Sequence, residues 1–97
     1  MTRREVGAWL EARRPAAPAA LRTHLDAAVT ESEERLPQHL ADLGRALLAR
    51  VVASPQGGRE LAHDLLAADA FVTYAFEAQA EIDVAGLAAL AERVARP

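Results

Sequence analysis

The chain has 97 residues, of which 52% are apolar, and its net charge is −3 at pH 7 with the histidines neutral. This length favours one domain with one hydrophobic core, and the apolar share excludes the disorder typical of highly charged, weakly hydrophobic chains. Cysteine is absent, which excludes disulfides, thiol nucleophiles and cysteine-bound metals, and no apolar run approaches the ~18 residues of a membrane span.

The first two helices are indicated by a capping motif and two prolines. Thr2 and Glu5 have the spacing of a capping box, in which each side chain accepts a hydrogen bond from the backbone N–H of the other residue. Trp9 lies on the apolar side of the first helix, and we expect it to attach that helix to the rest of the fold. Pro15 and Pro18 end the first helix and open the second, because proline suits the first turn of a helix but not its interior.

A hairpin of two longer helices is predicted at the centre of the chain. The polar run before Pro37 is either a loop or a kink in one longer helix. After it, apolar residues recur at helical spacing along a third helix: Leu36, Leu40, Leu43, Leu47 and Val51. Residues 54–58, Ser-Pro-Gln-Gly-Gly, indicate a short loop. We therefore expect helices over residues ~37–53 and ~59–81 to form an antiparallel pair.

A final helix is predicted after Asp83, which can cap its N-terminus. The apolar side of this helix carries Val84, Leu87, Leu90 and Val94. No alternation of apolar and polar residues indicates a strand. The predicted fold class is therefore all-α: a small helical bundle of four to five helices, in a single domain over residues 1–97, around the antiparallel hairpin.

The longest predicted helix, residues ~59–81, has two different sides. At about 100° per residue its core side carries Leu61, Leu65, Ala68, Val72, Ala75 and Phe76, with Phe71 and Ile82 at the edge. The opposite side carries His63, Ala67, Ala70, Tyr74, Glu77 and Glu81, with Leu66 at its shoulder. Two interpretations of this opposite side stay open. It is either a solvated face, or a surface whose alanines admit a partner helix and whose Tyr74 anchors that helix.

The predicted third helix supports the partner interpretation. Gly44, Leu48 and Val52 lie away from its leucine stripe and form a second, weaker apolar strip. Glycine inside a helix costs about 1 kcal/mol relative to alanine, so Gly44 predicts the close approach of another helix. A hairpin with apolar residues on more than one side is expected to lie between other elements, some of which a second copy of the chain can supply.

The residues that could carry chemistry are isolated in the sequence. Glu60 and His63 have the Glu-x-x-His spacing that ferritin-like proteins use for paired metal ions, but the end of the preceding helix has no carboxylate to complete such a site. Gly57 and Gly58 precede a helix without the lysine of a phosphate-binding loop, and neither loop serine has the context of a nucleophile elbow. We therefore predict no enzymatic activity, no cofactor and no metal, with Glu60 and His63 as the only metal candidates.

Charge is distributed unevenly along the chain. Residues 1–50 hold eight arginines and seven acids, whereas residues 51–97 hold three arginines and seven acids. The basic cluster near the N-terminus consists of Arg3, Arg4, Arg13 and Arg14. We expect these arginines to pair with the acidic C-terminal helices, within one chain or between copies. The acidic remainder of the chain disfavours contact with nucleic acid.

The leading hypothesis from sequence is a non-enzymatic helical interaction module in the cytoplasm, without contact with a membrane. We expect it to self-associate or to join a larger assembly as an accessory subunit. The candidate partner-binding residues are Tyr74, Ala67, Ala70, Glu77, Leu48, Val52 and Trp9. The alternatives are a ferritin-like metal-binding protein that uses Glu60 and His63, and a regulatory nucleic-acid binder that uses the N-terminal arginines.

Overall fold

The computed structural model describes residues 1–55 and 57–96, which form helices and connecting loops without a strand. Within these residues the α-helices are α1 (Arg3–Glu11), α2 (Ala19–Ala28), α3 (Leu36–Ala53), α4 (Arg59–Ile82) and α5 (Leu87–Ala95). A 3₁₀ turn over Val84–Gly86 precedes α5. The predicted all-α bundle around an α3–α4 hairpin is confirmed. None of these helices is both long enough and apolar enough to cross a membrane.

α1 begins with the predicted capping box. The Thr2 hydroxyl accepts a hydrogen bond from the Glu5 backbone N–H at 3.1 Å, and the Glu5 carboxylate accepts one from the Thr2 N–H at 3.0 Å. Donation by the Thr2 backbone holds the pKa of Glu5 below its ordinary value. α2 begins directly after Pro18, so the predicted role of that proline at a helix start is also confirmed.

The segment between α2 and α3 is a loop and not a kink in one longer helix, the other alternative that the sequence left open. Pro37 lies in the first turn of α3, as proline geometry requires. His39 Nε2 lies 2.7 Å from the Thr30 carbonyl oxygen, and the N-terminal amino group donates to the carbonyl oxygen of Ser32. α3 and the start of the chain therefore both hold this loop in place.

α3 and α4 approach each other closely at a glycine. Gly44 is buried, and a Cβ atom built on it would lie 2.8 Å from Val72 Cγ2 and 3.0 Å from the Ala68 carbonyl oxygen. A closely packed interior leaves no room for such a contact, so a side chain at this position would push the two helices apart. The close helix packing that Gly44 predicts is confirmed.

The buried side of α4 differs from the predicted one. Its buried residues are Ala67, Ala68, Phe71, Ala75, Ala78 and Gln79. Leu65 and Ile82, expected on or near the core side, are 49% and 51% exposed, whereas Phe71, expected at its edge, is 0% exposed. α4 packs against α3 and also against α2, so the positions of two neighbouring helices, and not the apolar stripe alone, decide which residues are buried.

The hairpin is a middle layer with helices on both faces. α1 and α2 cover one face, where Leu10 is 5% and Leu25 is 0% exposed. α5 packs on the other face through Leu90, which is 2% exposed. On α3, Leu47 adjoins α2 whereas Arg45 bonds the end of α5. These two positions point about 160° apart around a helix, which places α2 and α5 on opposite faces.

The start of the final helix differs in one respect from the prediction. Asp83 Oδ1 accepts a hydrogen bond from the Ala85 N–H at 3.0 Å, but it caps the 3₁₀ turn and not α5 itself. Val84, expected on the apolar side of the helix, lies in that turn and is 66% exposed. Gln79 Nε2 donates to the Asp83 carbonyl oxygen at 2.7 Å and occupies the space where a side chain at Gly86 would lie. This turn brings the chain back over the hairpin.

Candidate interaction surface

α5 is fixed to the hairpin by polar contacts near its C-terminal end. Arg93 Nε and Nη2 donate to the two carboxylate oxygens of Asp42 at 2.9 and 2.7 Å. These hydrogen bonds hold the pKa of Asp42 below its ordinary value, with help from the nearby positive charges and against the effect of partial burial. Beyond them, Arg45 Nη2 donates to the Arg96 carbonyl oxygen at 3.0 Å. α5 therefore ends over the middle of α3.

α5 is too short to cover its face of the hairpin. It has 9 residues, whereas α3 has 18 and α4 has 24. At 1.5 Å per residue, these helices are about 14, 27 and 36 Å long. Because α5 ends over the middle of α3, the half of this face nearest the connection between α3 and α4 has no helix on it in the part of the chain that the structure describes.

The uncovered half forms an apolar groove. Leu48 and Val52, which face it, are 47% and 78% exposed. The groove encloses about 430 Å³, and it is lined by Arg45, Leu48, Ala49, Val52, Ala53, Val94 and Arg96. We refer to it as the open groove. Its lining is aliphatic except for Arg96 and Arg45, and the Arg45 guanidinium lies 3.9 Å from the Asp42 carboxylate. The groove therefore offers hydrophobic contact over its surface and arginine side chains at two positions.

Leu65 extends this apolar surface onto α4. The close approach of α4 to Gly44 and the ion pair between Arg50 and Asp64, at 3.6 Å, set the antiparallel register of α3 and α4. That register brings Leu65 to the level of Leu48, and from its position around α4 we infer that it lies on the α5 face of the hairpin; it is 49% exposed. A strip of large apolar side chains therefore runs across both helices next to the end of α5.

The structure brings two of the predicted partner-binding residues together and separates them from the others. Leu48 and Val52 both line the open groove. Ala67 is 1% exposed, and the rings of Trp9 and Tyr74 contact each other edge to face with centroids 5.8 Å apart. The prediction that Ala67 lies on an outer side of α4 is wrong, whereas Tyr74 is only partly buried, and its role in partner binding stays a prediction. Ala67 is covered within the chain, where α4 packs against α2 as well as α3.

Trp9 attaches α1 to α4, as predicted. The Arg13 guanidinium lies over the Trp9 ring, with its carbon 3.8 Å from the centroid, and donates to Glu81 at 2.8 Å. The hydrogen bond from Arg13 lowers the pKa of Glu81, and Trp9 Nε1 donates to the same carboxylate at 3.3 Å. Glu77 is exposed 4.0 Å from Arg13, and Ala70 is half-buried against the core. The predicted pairing of arginine with the acidic half of the chain is confirmed for Arg13.

The other N-terminal arginines do not follow that prediction. Arg3 and Arg4 are exposed, and in the described residues neither is ion-paired with α4 or α5. Arg14 Nη1 donates to the backbone carbonyl oxygens of Glu11 and Arg13. Among the described residues of one chain, these three arginines do not make the expected pairs, because only Arg13, just after the end of α1, reaches the carboxylates of α4. Pairing between copies stays a prediction.

The structure places Glu60 and His63 at the contact between α2 and α4. The His63 ring packs edge to face on His24 of α2, with centroids 4.5 Å apart, and Glu60 lines a shallow hollow together with His24 and Asp64. Among residues 1–55 and 57–96, no group of three or more histidine, aspartate and glutamate side chains is arranged to hold a metal ion. In the geometry described, His63 serves to pack α4 against α2.

Comparison of the chain with protein-family models, with curated proteins and with solved structures found no match. The open groove is therefore identified by the geometry of this chain alone. Sequence spacing pointed to Leu48 and Val52, which lie off the leucine stripe of α3. It did not point to Arg45, Val94 and Arg96 as their neighbours, because helical periodicity does not tell where the end of α5 meets α3.

Proposed function

We propose that this protein is a non-enzymatic interaction module that binds a helix of a protein partner in the open groove. The observation that supports this function most directly is the exposure of Val52 and Leu48, 78% and 47%, beside a helix that is anchored on the same face. An aliphatic groove next to a packed helix is the kind of surface into which amphipathic helices dock.

The free energy available in the groove supports binding at this place. Full burial of a leucine or valine side chain contributes about 1.5–3 kcal/mol, so covering the exposed parts of Leu48, Val52 and Leu65 contributes roughly 3–5 kcal/mol. Leu48 and Val52 line the same groove, and the register of α3 and α4 brings Leu65 to the level of Leu48, so a single bound helix can cover all three. Single apolar residues elsewhere on the surface, such as Leu66 at 58% exposure, are ordinary and need no partner.

The dimensions of the groove limit what it can bind. The uncovered part of α3 is about half of its length, roughly 14 Å, which is two to three helical turns. One short helix fills that space, as α5 fills the other half of the same face. The described residues contain no strand and hence no sheet edge for an extended peptide to pair with, so a helix suits the surface better than a strand.

A photoreactive amino acid in the groove tests this function. The full chain is expressed in cells with p-benzoylphenylalanine in place of Val52, irradiated, and analysed for crosslinked products by mass. We expect a discrete crosslinked protein, because Val52 is the most exposed large apolar residue of the groove. The matched control has the same amino acid in place of Thr23, which is exposed on α2 at the opposite face.

A second substitution makes the test specific for the groove. Leu48→Gln in the chain labelled at Val52 should reduce the crosslinked product about tenfold, because one less apolar side chain is available for binding. Its circular dichroism should stay unchanged, since Leu48 is half exposed. Equal products from the Val52 and Thr23 positions, or no product from the Val52 position, would contradict the proposed function.

A further inference from the structure

On the face of the hairpin that contains the open groove, α5 stands out as a ridge. α5 lies directly beside the groove, since Val94 and Arg96 at its C-terminal end form part of the groove lining. A helix is about 10 Å across, so α5 rises above the groove by about the thickness of one helix layer. One molecule therefore presents, side by side, a site that lacks a helix and a helix whose outer side is exposed.

The outer side of α5 is suited to close contact with another layer. Its exposed residues are four alanines and one acid: Ala88, Ala89, Ala91, Glu92 and Ala95. Small side chains let helices approach closely, as Ala68 does where α4 meets Gly44. The alanine side of α5 therefore complements a groove whose lining consists of larger aliphatic side chains.

Charge is complementary between the ridge and the groove. Glu92 is the only acidic residue of α5, and it is exposed. The charged residues in the groove lining are Arg45 and Arg96. An α5 helix laid in the groove of another copy brings Glu92 to these arginines. Because a two-fold contact uses the same surfaces on both molecules, this pairing occurs twice.

The area required for a stable dimer also favours a second copy. Such a dimer buries about 800 Å² on each partner, more than a groove two to three turns long supplies alone. In a symmetrical pair each copy contributes its groove and its ridge, which increases the buried surface on each partner about twofold. We propose that the helix bound in the open groove is α5 of a second copy, with each α5 lying over Leu48 and Val52 of the other molecule. This inference rests on the proposed function.

Sedimentation equilibrium of the full chain tests the charge pairing through the dimer dissociation constant. Glu92→Arg sets like charges against each other in both contacts and should raise Kd about tenfold, and Arg96→Glu should do the same. The double variant restores opposite charges and should bring Kd back to within about threefold of the unsubstituted chain. Glu31→Arg makes the same charge change in the loop after α2, outside the groove lining, and should leave Kd unchanged.

The mass of the product crosslinked from position 52 distinguishes a second copy of the chain from another protein partner. A product of twice the mass of the chain, with the link located in residues 88–95, supports a second copy as the partner. A product of another mass, from a chain that sediments as a monomer, overturns the inference and leaves the proposed function intact. A dimer whose Kd is insensitive to Glu92→Arg also overturns it. Absence of any product from position 52 overturns both.

Discussion

The two faces of the α3–α4 hairpin are covered to different extents. On one face, α1 and α2 bury Leu10 and Leu25 to 5% exposure or less. On the other, α5 buries Leu90 but ends before it reaches Leu48 and Val52. Both faces of the hairpin are apolar, so the difference arises from the lengths of the covering helices and not from composition.

Adjacent residues of one helix can therefore differ in whether they are buried in the core or exposed. Leu47 and Leu48 are adjacent leucines in α3, yet Leu47 is 4% exposed and Leu48 is 47% exposed. The side chain of Leu47 is packed in the core of the chain, whereas about half of the surface of Leu48 stays exposed. An apolar residue indicates a binding surface only when neighbouring residues are also apolar and no element of the chain covers them.

The largest effect on monomer stability should come from Leu47, with Leu48 as its matched control. Leu47→Ala leaves a cavity in the covered face and should lower the free energy of unfolding by about 2–5 kcal/mol, whereas Leu48→Ala should lower it by about 1 kcal/mol or less. Urea unfolding at low protein concentration, where copies are separate, measures both values. Equal losses would mean that the two faces are equally covered.

A smaller loss of stability should come from enlarging Gly44, which lies in the contact between the two hairpin helices. Gly44→Val forces α3 and α4 apart and should lower the free energy of unfolding by about 1–3 kcal/mol. Gly7 is a helical control, because a Cβ atom built there meets nothing within 4 Å. Gly7→Ala should raise stability by up to about 1 kcal/mol through helix propensity. Thermal unfolding followed by circular dichroism compares them, and a fully stable Gly44→Val variant would refute the close contact.

The smallest expected effect concerns the contact that holds α5 in place. Asp42→Asn weakens the two hydrogen bonds from Arg93 and should cost about 1 kcal/mol, because both side chains are partly exposed, at 36% and 28%. The pKa of Asp42 is lowered in the folded state from its ordinary value of 3.8. Its contribution is therefore complete above about pH 4 and is lost as the pH falls through the lower, folded-state pKa.

Unfolding measured from neutral to strongly acidic pH checks this dependence. The Asp42→Asn variant should lose part of the acid-induced decrease in stability, because the carboxylate that would be protonated is absent. Glu33→Gln removes an exposed carboxylate in the loop before α3 and is the control. If both variants lose the same acid sensitivity, the contact between Arg93 and Asp42 does not stabilise α5 in the way described.

Several features of the fold could be predicted because their causes lie within one or two helical turns. The capping box of Thr2 and Glu5 needs only two residues at the correct spacing. Pro18 and Pro37 mark helix starts because the ring fixes the backbone angle locally. Gly44 pointed to close helix packing because its helix propensity is poor, and α4 does approach at that residue.

The buried side of α4 could not be predicted by the same reasoning. Periodicity locates an apolar stripe, which placed Leu65 on the core side and Ala67 on the opposite side, but packing against both α3 and α2 buries Ala67 and leaves Leu65 half exposed. Alanine is common on every side of this helix, so its positions do not distinguish a covered side from an exposed one. Ala67, which was expected on the side away from the core, is buried for that reason, whereas partner binding around Tyr74 stays a prediction.

By itself, the sequence determined that this protein is helical, where its helices begin and end to within a few residues, and that α3 and α4 pair. These properties follow from capping, proline geometry and apolar spacing, which act over short distances along the chain. Only the tertiary structure decided which apolar residues stay uncovered. That outcome depends on where Arg93 meets Asp42, because this contact sets the point at which α5 ends over α3 and leaves Leu48 and Val52 exposed.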